Sequence, residues 1–312
     1  MVAATGDGYH EVEVVQVTAP RVAIGGQAVI EGVMMRGPHW VSTVVRRPSG
    51  EMAEQVNYRP SLLVRNRWAR LPVVRGVVVL WEALAVGVRA LVYSANQAVE
   101  SEMGRPLSRR EVALSLGLGV GLAVGLFFVF PTVLVRWVDP GLGPVGFNLL
   151  EGALRTAVLV AYVGLLGFLP DLRRVYMYHG AEHKAVNAWE RGVPLEVREV
   201  QRQSRFHPRC GTSFLLVVVL VAVVVFSLLG KPPLGLRIAS RVLLVPVIAG
   251  LAYEVIRAGA RSRWFRPLVA PGLWLQRLTT REPDPTQVEV AIRALKRVLE
   301  REDERALERT VA

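Results

Sequence analysis

Long runs without charge alternate along this chain with short, charge-dense stretches. Val112 to Val135 contains no charged residue, enough to cross a hydrocarbon core of ~30 Å as a helix. Ala153 to Leu169 is a second run. Arg155 near its start is expected to reach the interface, and Pro170 and Asp171 end the run. Thr212 to Gly230 is the most hydrophobic run. Val242 to Tyr253 is the core of a fourth, which Ile238 and Ile256 extend; Pro246 is predicted to kink it, and Glu254 lies near its end. Leu71 to Tyr93 differs. Arg75, Glu82 and Arg89 recur every seven residues, and Asn96 continues the stripe. A narrow polar stripe on an apolar helix suits an interfacial helix, or one packed against a bundle, better than a span. The pattern predicts a mainly α, multi-pass helical membrane protein, with about four spanning helices plus one amphipathic helix.

The flanks follow other periods. Trp40–Arg47 and Glu51–Tyr58 surround a Pro-Ser-Gly turn and read as a hairpin. The preceding GGQAVIEGVMMRGP (25–38) reads as turn, strand, turn. Asp284-Pro285 caps a charged helix expected to run to about Arg309, with Val288, Ile292, Leu295 and Leu299 as its apolar face. The expected organisation is a disordered N-terminus (1–20), a small β-rich segment (21–60), an amphipathic helix region (61–110), a transmembrane bundle (111–265) holding a long loop (171–211), and a C-terminal tail and helix (266–312).

Composition agrees: 52% of the 312 residues are hydrophobic and only 21% charged. The net charge of +12 would point to nucleic acid in a soluble protein. In a membrane protein orientation explains it first, because Lys and Arg collect in cytoplasmic loops. Arg105, Arg109 and Arg110 precede the first run, the loop at 171–211 is rich in Arg, and Arg257 follows the fourth run. Lys231, Arg237 and Arg241 weaken the alternation. The expected location is the cytoplasmic membrane, with both termini and the long loop in the cytoplasm. Expected partners are the lipid bilayer and, at the basic face, anionic lipid or a protein; nucleic acid is expected only indirectly, through a ribosome. Cys210 is the one cysteine, so no intrachain disulfide forms. The N-terminus lacks a charged start followed by an apolar core, so no cleaved signal peptide is expected. Gly117, Gly119, Gly121 and Gly125 superficially resemble a phosphate loop, but no Lys-Ser/Thr follows, and close helix packing is the better reading. Oligomeric state is not legible.

The chemistry concentrates in the long loop. His179 and His183 are four apart on a predicted helix ending near Gly192, and Glu182 shares their face. This H-x-x-E-H spacing offers a divalent metal two imidazoles, with a carboxylate beside it able to move a proton; it is also the order found in inverzincin metallopeptidases. His207 and Cys210, in FHPRCGT, have the spacing of a ligand turn. All four together would make a His3Cys site, which favours zinc. Four permanent ligands would make it structural; three would leave a position for catalysis. Helix histidines can also simply be solvated, and the second cluster is what tips the reading to metal. Asn187 reads equally as a supporting partner or a surface amide. Glu254 could be an additional ligand or pair with Arg257. Whether Glu31 and Arg36 approach the loop is not legible.

The chain resembles the bacterial DUF1385 family, also called the YqhQ-like proteins, described as predicted metal-dependent enzymes. The resemblance rests on GGQAVIEGVMMRGP (25–38), LPVVRGVVVLWEAL (71–84), YHGAEHKAVNAWE (178–190), SRFHPRCGTSFL (204–215), AGLAYEVIRAGA (249–260) and REPDPTQVEVAIRAL (281–295), and is essentially full length. It implies a membrane protein with a metal site at His179, Glu182, His183, His207 and Cys210, but no substrate. Inverzincins are soluble, so peptidase chemistry is analogy only. The leading expectation is a metal-dependent hydrolase acting on a membrane-associated substrate, with Glu182 as general base. The alternative is a non-catalytic assembly or docking protein whose His/Cys cluster is structural and whose basic face and terminal helix bind a partner. A transporter has less support, since charge within the apolar runs looks sparse and no paired broken helices are visible.

Overall fold

The computed structural model describes residues 22–138, 141–261 and 266–311. The disordered N-terminus expected at 1–20 lies outside the described residues.

An antiparallel sheet opens the described chain: β1 (Gly25–Val29), β2 (Gly32–Arg36), β3 (Trp40–Arg46) and β4 (Met52–Tyr58), in that spatial order. The hairpin read at 40–58 is β3–β4, with Trp40 opposite Tyr58. The glycine-rich stretch before it is a complete hairpin and not a single strand. β1 and β2 pair from Gly25–Arg36 to Val29–Gly32, turning at Ile30-Glu31, where Glu31 takes a left-handed φ of 50°. The sheet is covered on both faces. Val33, Met35 and Val44 face one core; Met34, Val41, Val45 and Ala53 face another. This explains why β2 reads as a continuous apolar run and shows no alternation.

A short turn of helix, α1 (Leu62–Arg65), leads to the long α2 (Val74–Met103). The first bundle helix is α3 (Arg109–Val124), continued through a π-turn at Gly125–Val129 into α4 (Phe130–Val138). Then come α5 (Pro144–Leu166), α6 (Pro170–Arg191), the short α7 (Val197–Gln201), α8 (Gly211–Leu228), α9 (Leu234–Leu243), α10 (Val245–Arg261), α11 (Arg266–Thr279) and α12 (Pro285–Val311).

The protein is a mainly α, multi-pass helical membrane protein with a small N-terminal sheet. Among the described residues four helices are long and apolar enough to cross a membrane: Val74–Val99, Arg109–Val138, Pro144–Leu166 and Gly211–Leu228. The predicted fourth span, with its kink, falls on the pair α9–α10, bent by 48° at Leu244. Pro246 in the first turn of α10 accounts for the break, since its ring cannot follow the carbonyl four residues earlier. The amphipathic segment at 71–93 is part of α2, which qualifies as a span by length and composition; its contacts also divide it. Arg75 pairs with Glu254 of α10, while Glu82 pairs with Arg36 at 2.5 Å and Ala90 packs into the sheet core. α2 therefore ties the bundle to the sheet, and Arg75, Glu82 and Asn96 of its polar stripe are used in pairing.

Arg155 does not snorkel. α5 begins at Pro144, ahead of the expected Ala153, so Arg155 is mid-helix and buried. It donates to Glu151 at 2.5 Å and to the Phe127 carbonyl that the π-turn exposes, at 2.8 Å. Arg241 of α9 closes on Glu151 and Asn148, and Thr132 of α4 donates to Glu151. The glycines of α3 do not pack closely either: α3 has no buried residue, and among the described residues nothing lies within 4 Å of where their Cβ atoms would be.

The two flanking segments read separately along the chain form one layered unit. α12 is capped by Asp284, whose carboxylate accepts from Gln287 N. Its Val288, Ile292, Leu295 and Leu299 pack on Val33, Met35 and Val44 of the sheet and on Ala181 and Ala185 of α6. Its apolar face is thus filled within the chain.

Candidate metal centre

α6 carries two histidines one turn apart, and two crossing segments fix their rings. The stretch 279–283 passes over α6 at Gly180, where any side chain would meet the Arg281 carbonyl; the glycine in HGAEH is therefore a packing requirement. The crossing brings the Thr279 carbonyl to His179 Nδ1 at 2.8 Å. On the other side the loop before α8 is drawn in by two α6 side chains. Asn187 donates to the carbonyls of Ser204 (2.8 Å) and Phe206 (3.1 Å), and Lys184 to those of Gln201 (2.6 Å) and Gln203 (2.9 Å). The Arg205 carbonyl is thereby held 2.6 Å from His183 Nδ1.

A carbonyl can only accept, so each histidine carries its proton on Nδ1 and presents a lone pair at Nε2. His179 Nε2 lies 3.2 Å from Cys210 Sγ. His183 Nε2 is buried without a hydrogen-bond partner. The ligand atoms of His179, His183 and Cys210 all lie within 4.8 Å of one another. Cys210 caps the start of α8, where its sulfur accepts from Thr212 N at 3.4 Å. Burial pushes its thiol pKa up against those helix-end hydrogen bonds.

Glu182 sits beside this trio without joining it. Its carboxyl packs under β1, where a Cβ on Gly26 would come within 2.7 Å of Glu182 Cγ. Burial pushes its pKa up to about 8, with His179 pulling down and Cys210 adding a little. Burial, reinforced by His179, drives His183 down to about 3. At neutral pH the pocket holds a neutral imidazole at His183, a thiol and a protonated carboxyl.

The structure separates the remaining sequence candidates. His207 is next to the trio, its ring 5.8 Å from that of His183. Both its nitrogens are engaged: Nδ1 accepts from Arg209 N at 3.3 Å, and Nε2 faces Glu190 at 3.3 Å. Burial holds its pKa down. Asn187 touches no ligand atom; it clamps the loop that orients His183. Glu254 pairs with Arg75 and accepts from Val73 N at 3.2 Å, apart from the cluster. Glu31 reaches α6 through Arg174 and Tyr178, whereas Arg36 turns to Glu82. Sequence reasoning missed Gln276. Fully buried, it exchanges hydrogen bonds with the backbone of His207 (2.9 and 2.8 Å) and donates to Ser213. A lone amide in the apolar stretch LVAPGLWLQ was its signal.

The donor chemistry fits a divalent ion: one sulfur and two imidazole lone pairs with their opposite nitrogens anchored, the His183 lone pair having no hydrogen-bond partner among the described residues.

Comparison with known proteins adds the family. Residues 71–301 match the model of a family described as protein of unknown function (DUF1385). The chain is 36% identical to the uncharacterized protein YqhQ of Bacillus subtilis (strain 168) over 296 residues, covering 89% of this chain and 92% of that protein. No solved structure matches this chain.

Proposed function

The chain belongs to the DUF1385 family, and we propose that it is a metal-dependent hydrolase of the cytoplasmic membrane, acting on a membrane-associated substrate. The observation that carries this reading is the His183 ring. One nitrogen is tied to the Arg205 carbonyl, and the other is buried and bare beside His179 Nε2 and Cys210 Sγ. His179, His183 and Cys210 would hold the ion, and two imidazoles with one thiolate favour zinc. Three protein ligands leave a fourth position open, as in catalytic sites. A divalent ion there supplies Lewis acidity, polarising a substrate carbonyl or phosphoryl oxygen and making water more acidic.

The rest is done by the chain. Glu182, whose pKa lies near 8 without an ion, takes the proton from attacking water and returns it to the leaving group. A cation beside it favours its ionised form at neutral pH. The Thr279 and Arg205 carbonyls keep both rings in the tautomer that faces inward. The sheet edge at Gly26 walls Glu182 from solvent.

Sidedness supports a membrane substrate. α5 ends and α8 begins at the layer that carries the cluster, so the donors sit at the mouth of the apolar bundle. We place that mouth and both termini in the cytoplasm on the basic loops around it, which is also where anionic lipid or a protein would meet the chain.

A second reading is a closed structural site that knots α6, α8 and the stretch 279–283 together, in a protein that docks a partner. The two crossings at His179 and His183 favour it. Burial of the apolar face of α12 within the chain leaves the basic surface alone for docking. Two measurements decide. Elemental analysis of the purified full-length protein is expected to find one divalent ion per chain, lost on His179→Ala with His183→Ala; no ion in either sinks both forms of the metal reading. Glu182→Gln is expected to keep ion and fold but lose rescue of a strain lacking the protein. Full rescue assigns the site to structure.

A further inference from the structure

The seven-residue stripe on α2 was explained at three of its four positions. Arg75 pairs with Glu254, Glu82 with Arg36 and the Ser61 hydroxyl, and Asn96 accepts from Leu107 N at 2.9 Å. Arg89 is left. It is exposed, and among the described residues it has no ion pair or hydrogen bond. It lines a groove of about 390 Å³ between α2 and the β3–β4 edge of the sheet. Arg59, just past the end of β4, lines the same groove and is equally exposed, its guanidinium likewise without a partner among the described residues.

The groove has two kinds of wall. On the sheet side Gln55 and Asn57, opposite Thr43 and Val41 in the β3–β4 register, supply polar groups. On the helix side Val86 and Val92 supply apolar surface. No Asp or Glu lines it, so two guanidiniums face an acid-free cleft. Guanidinium pairs bind phosphate oxygens through paired N–H donors. The helix side decides which phosphate. α2 is apolar enough to enter a membrane, and Trp81, Leu84 and Leu91 on it are exposed. A ligand seated here lies along a helix apolar enough to enter the membrane.

We propose that this groove holds the headgroup of an anionic phospholipid, with Arg59 and Arg89 on its phosphate and an acyl chain along the valines of α2. The site is separate from the His/Cys cluster and does not depend on its chemistry. It gives α2 a lipid-sensing contact at the joint between bundle and sheet.

The test uses the full-length protein in nonionic detergent, titrated with phosphatidylglycerol or phosphatidylcholine and read by native mass spectrometry. Wild type is expected to prefer phosphatidylglycerol. Arg59→Gln and Arg89→Gln should each weaken that binding roughly fivefold, and the double variant about 30-fold. Arg198→Gln, an exposed change elsewhere, should leave it unaltered. Both groove residues are exposed, so the variants should fold, which an unchanged melting temperature checks. Equal binding of the two lipids, or an equal loss in Arg198→Gln, overturns the proposal. So does glycerol phosphate competing as tightly as the lipid, which would make the groove a soluble-phosphate site.

Discussion

The polar cluster buried in the bundle and the one at its mouth are built on opposite plans. In the bundle, Glu151, Arg155, Arg241, Asn148 and Thr132 satisfy one another: both Glu151 oxygens accept, and the guanidiniums reach a carboxylate, an amide and a freed backbone carbonyl. At the bundle mouth, His179, His183 and Cys210 are anchored from behind and leave their donor atoms turned toward one another. The first cluster is complete without a ligand. The second has an orphaned nitrogen that only something else can satisfy. Burial of polar groups alone therefore does not mark a site; what marks one is where the unspent lone pairs point.

The largest effect should come from breaking the complete cluster. Glu151→Leu leaves two buried guanidiniums without their carboxylate and should cost about 3–5 kcal/mol, seen as a large fall in the melting temperature of the detergent-solubilised protein. Replacing Glu151, Arg155 and Arg241 together by apolar residues should recover most of it. A mild effect of the single change would show that the cluster is not what ties α4, α5 and α9. At the open cluster the order reverses. Cys210→Ser should barely move the melting temperature of the metal-free protein. It should weaken metal binding beyond the roughly 10–100-fold that loss of a supporting contact costs, measured by competition with a chelating dye. Asn187→Ala removes such a supporting contact and lies between. It should cost about 1–2 kcal/mol of stability and about tenfold in metal affinity, because the Arg205 carbonyl loses its clamp.

The smallest effect belongs to Glu54 and its two arginines, outside both clusters. Burial would raise the Glu54 pKa, but hydrogen bonds from Arg297 and Arg293 outweigh it and hold the carboxyl below its ordinary value. Its contribution is present above about pH 4.5 and fades as pH falls through the lowered value. Being partly solvated, it should be worth only about 0.5 kcal/mol. A pH series of Glu54→Gln against wild type checks this; a gap that widens in acid has the wrong sign.

Much of this was legible in the chain. Uncharged runs located α3–α4, α5 and α8, the i,i+4 histidines shared a helix face, and the Asp284 cap began α12. The rest was hidden because it depends on partners that the local pattern does not show. The first two turns of α5 look like loop because Asn148 and Glu151 are polar, and only Arg241 of α9 makes them fit a membrane core. The kink expected at Pro246 is present, but its size, 48°, depends on packing. His207 and Cys210 share a motif, which does not show that Glu190 and the Arg209 backbone engage both nitrogens of the histidine. The carbonyls of Thr279 and Arg205, which set both tautomers, are backbone groups and carry no residue signature at all.

The central claim is that His179, His183 and Cys210 together hold one metal ion. Cobalt(II) loading of the purified full-length protein tests it most directly, because a thiolate ligand gives cobalt a charge-transfer absorption in the near ultraviolet that nitrogen and oxygen ligands do not. The account predicts that absorption at one cobalt per chain, abolished by Cys210→Ser, strongly reduced by His183→Ala and retained in Glu182→Gln. Cobalt uptake without a thiolate band, or a band indifferent to Cys210→Ser, would contradict it.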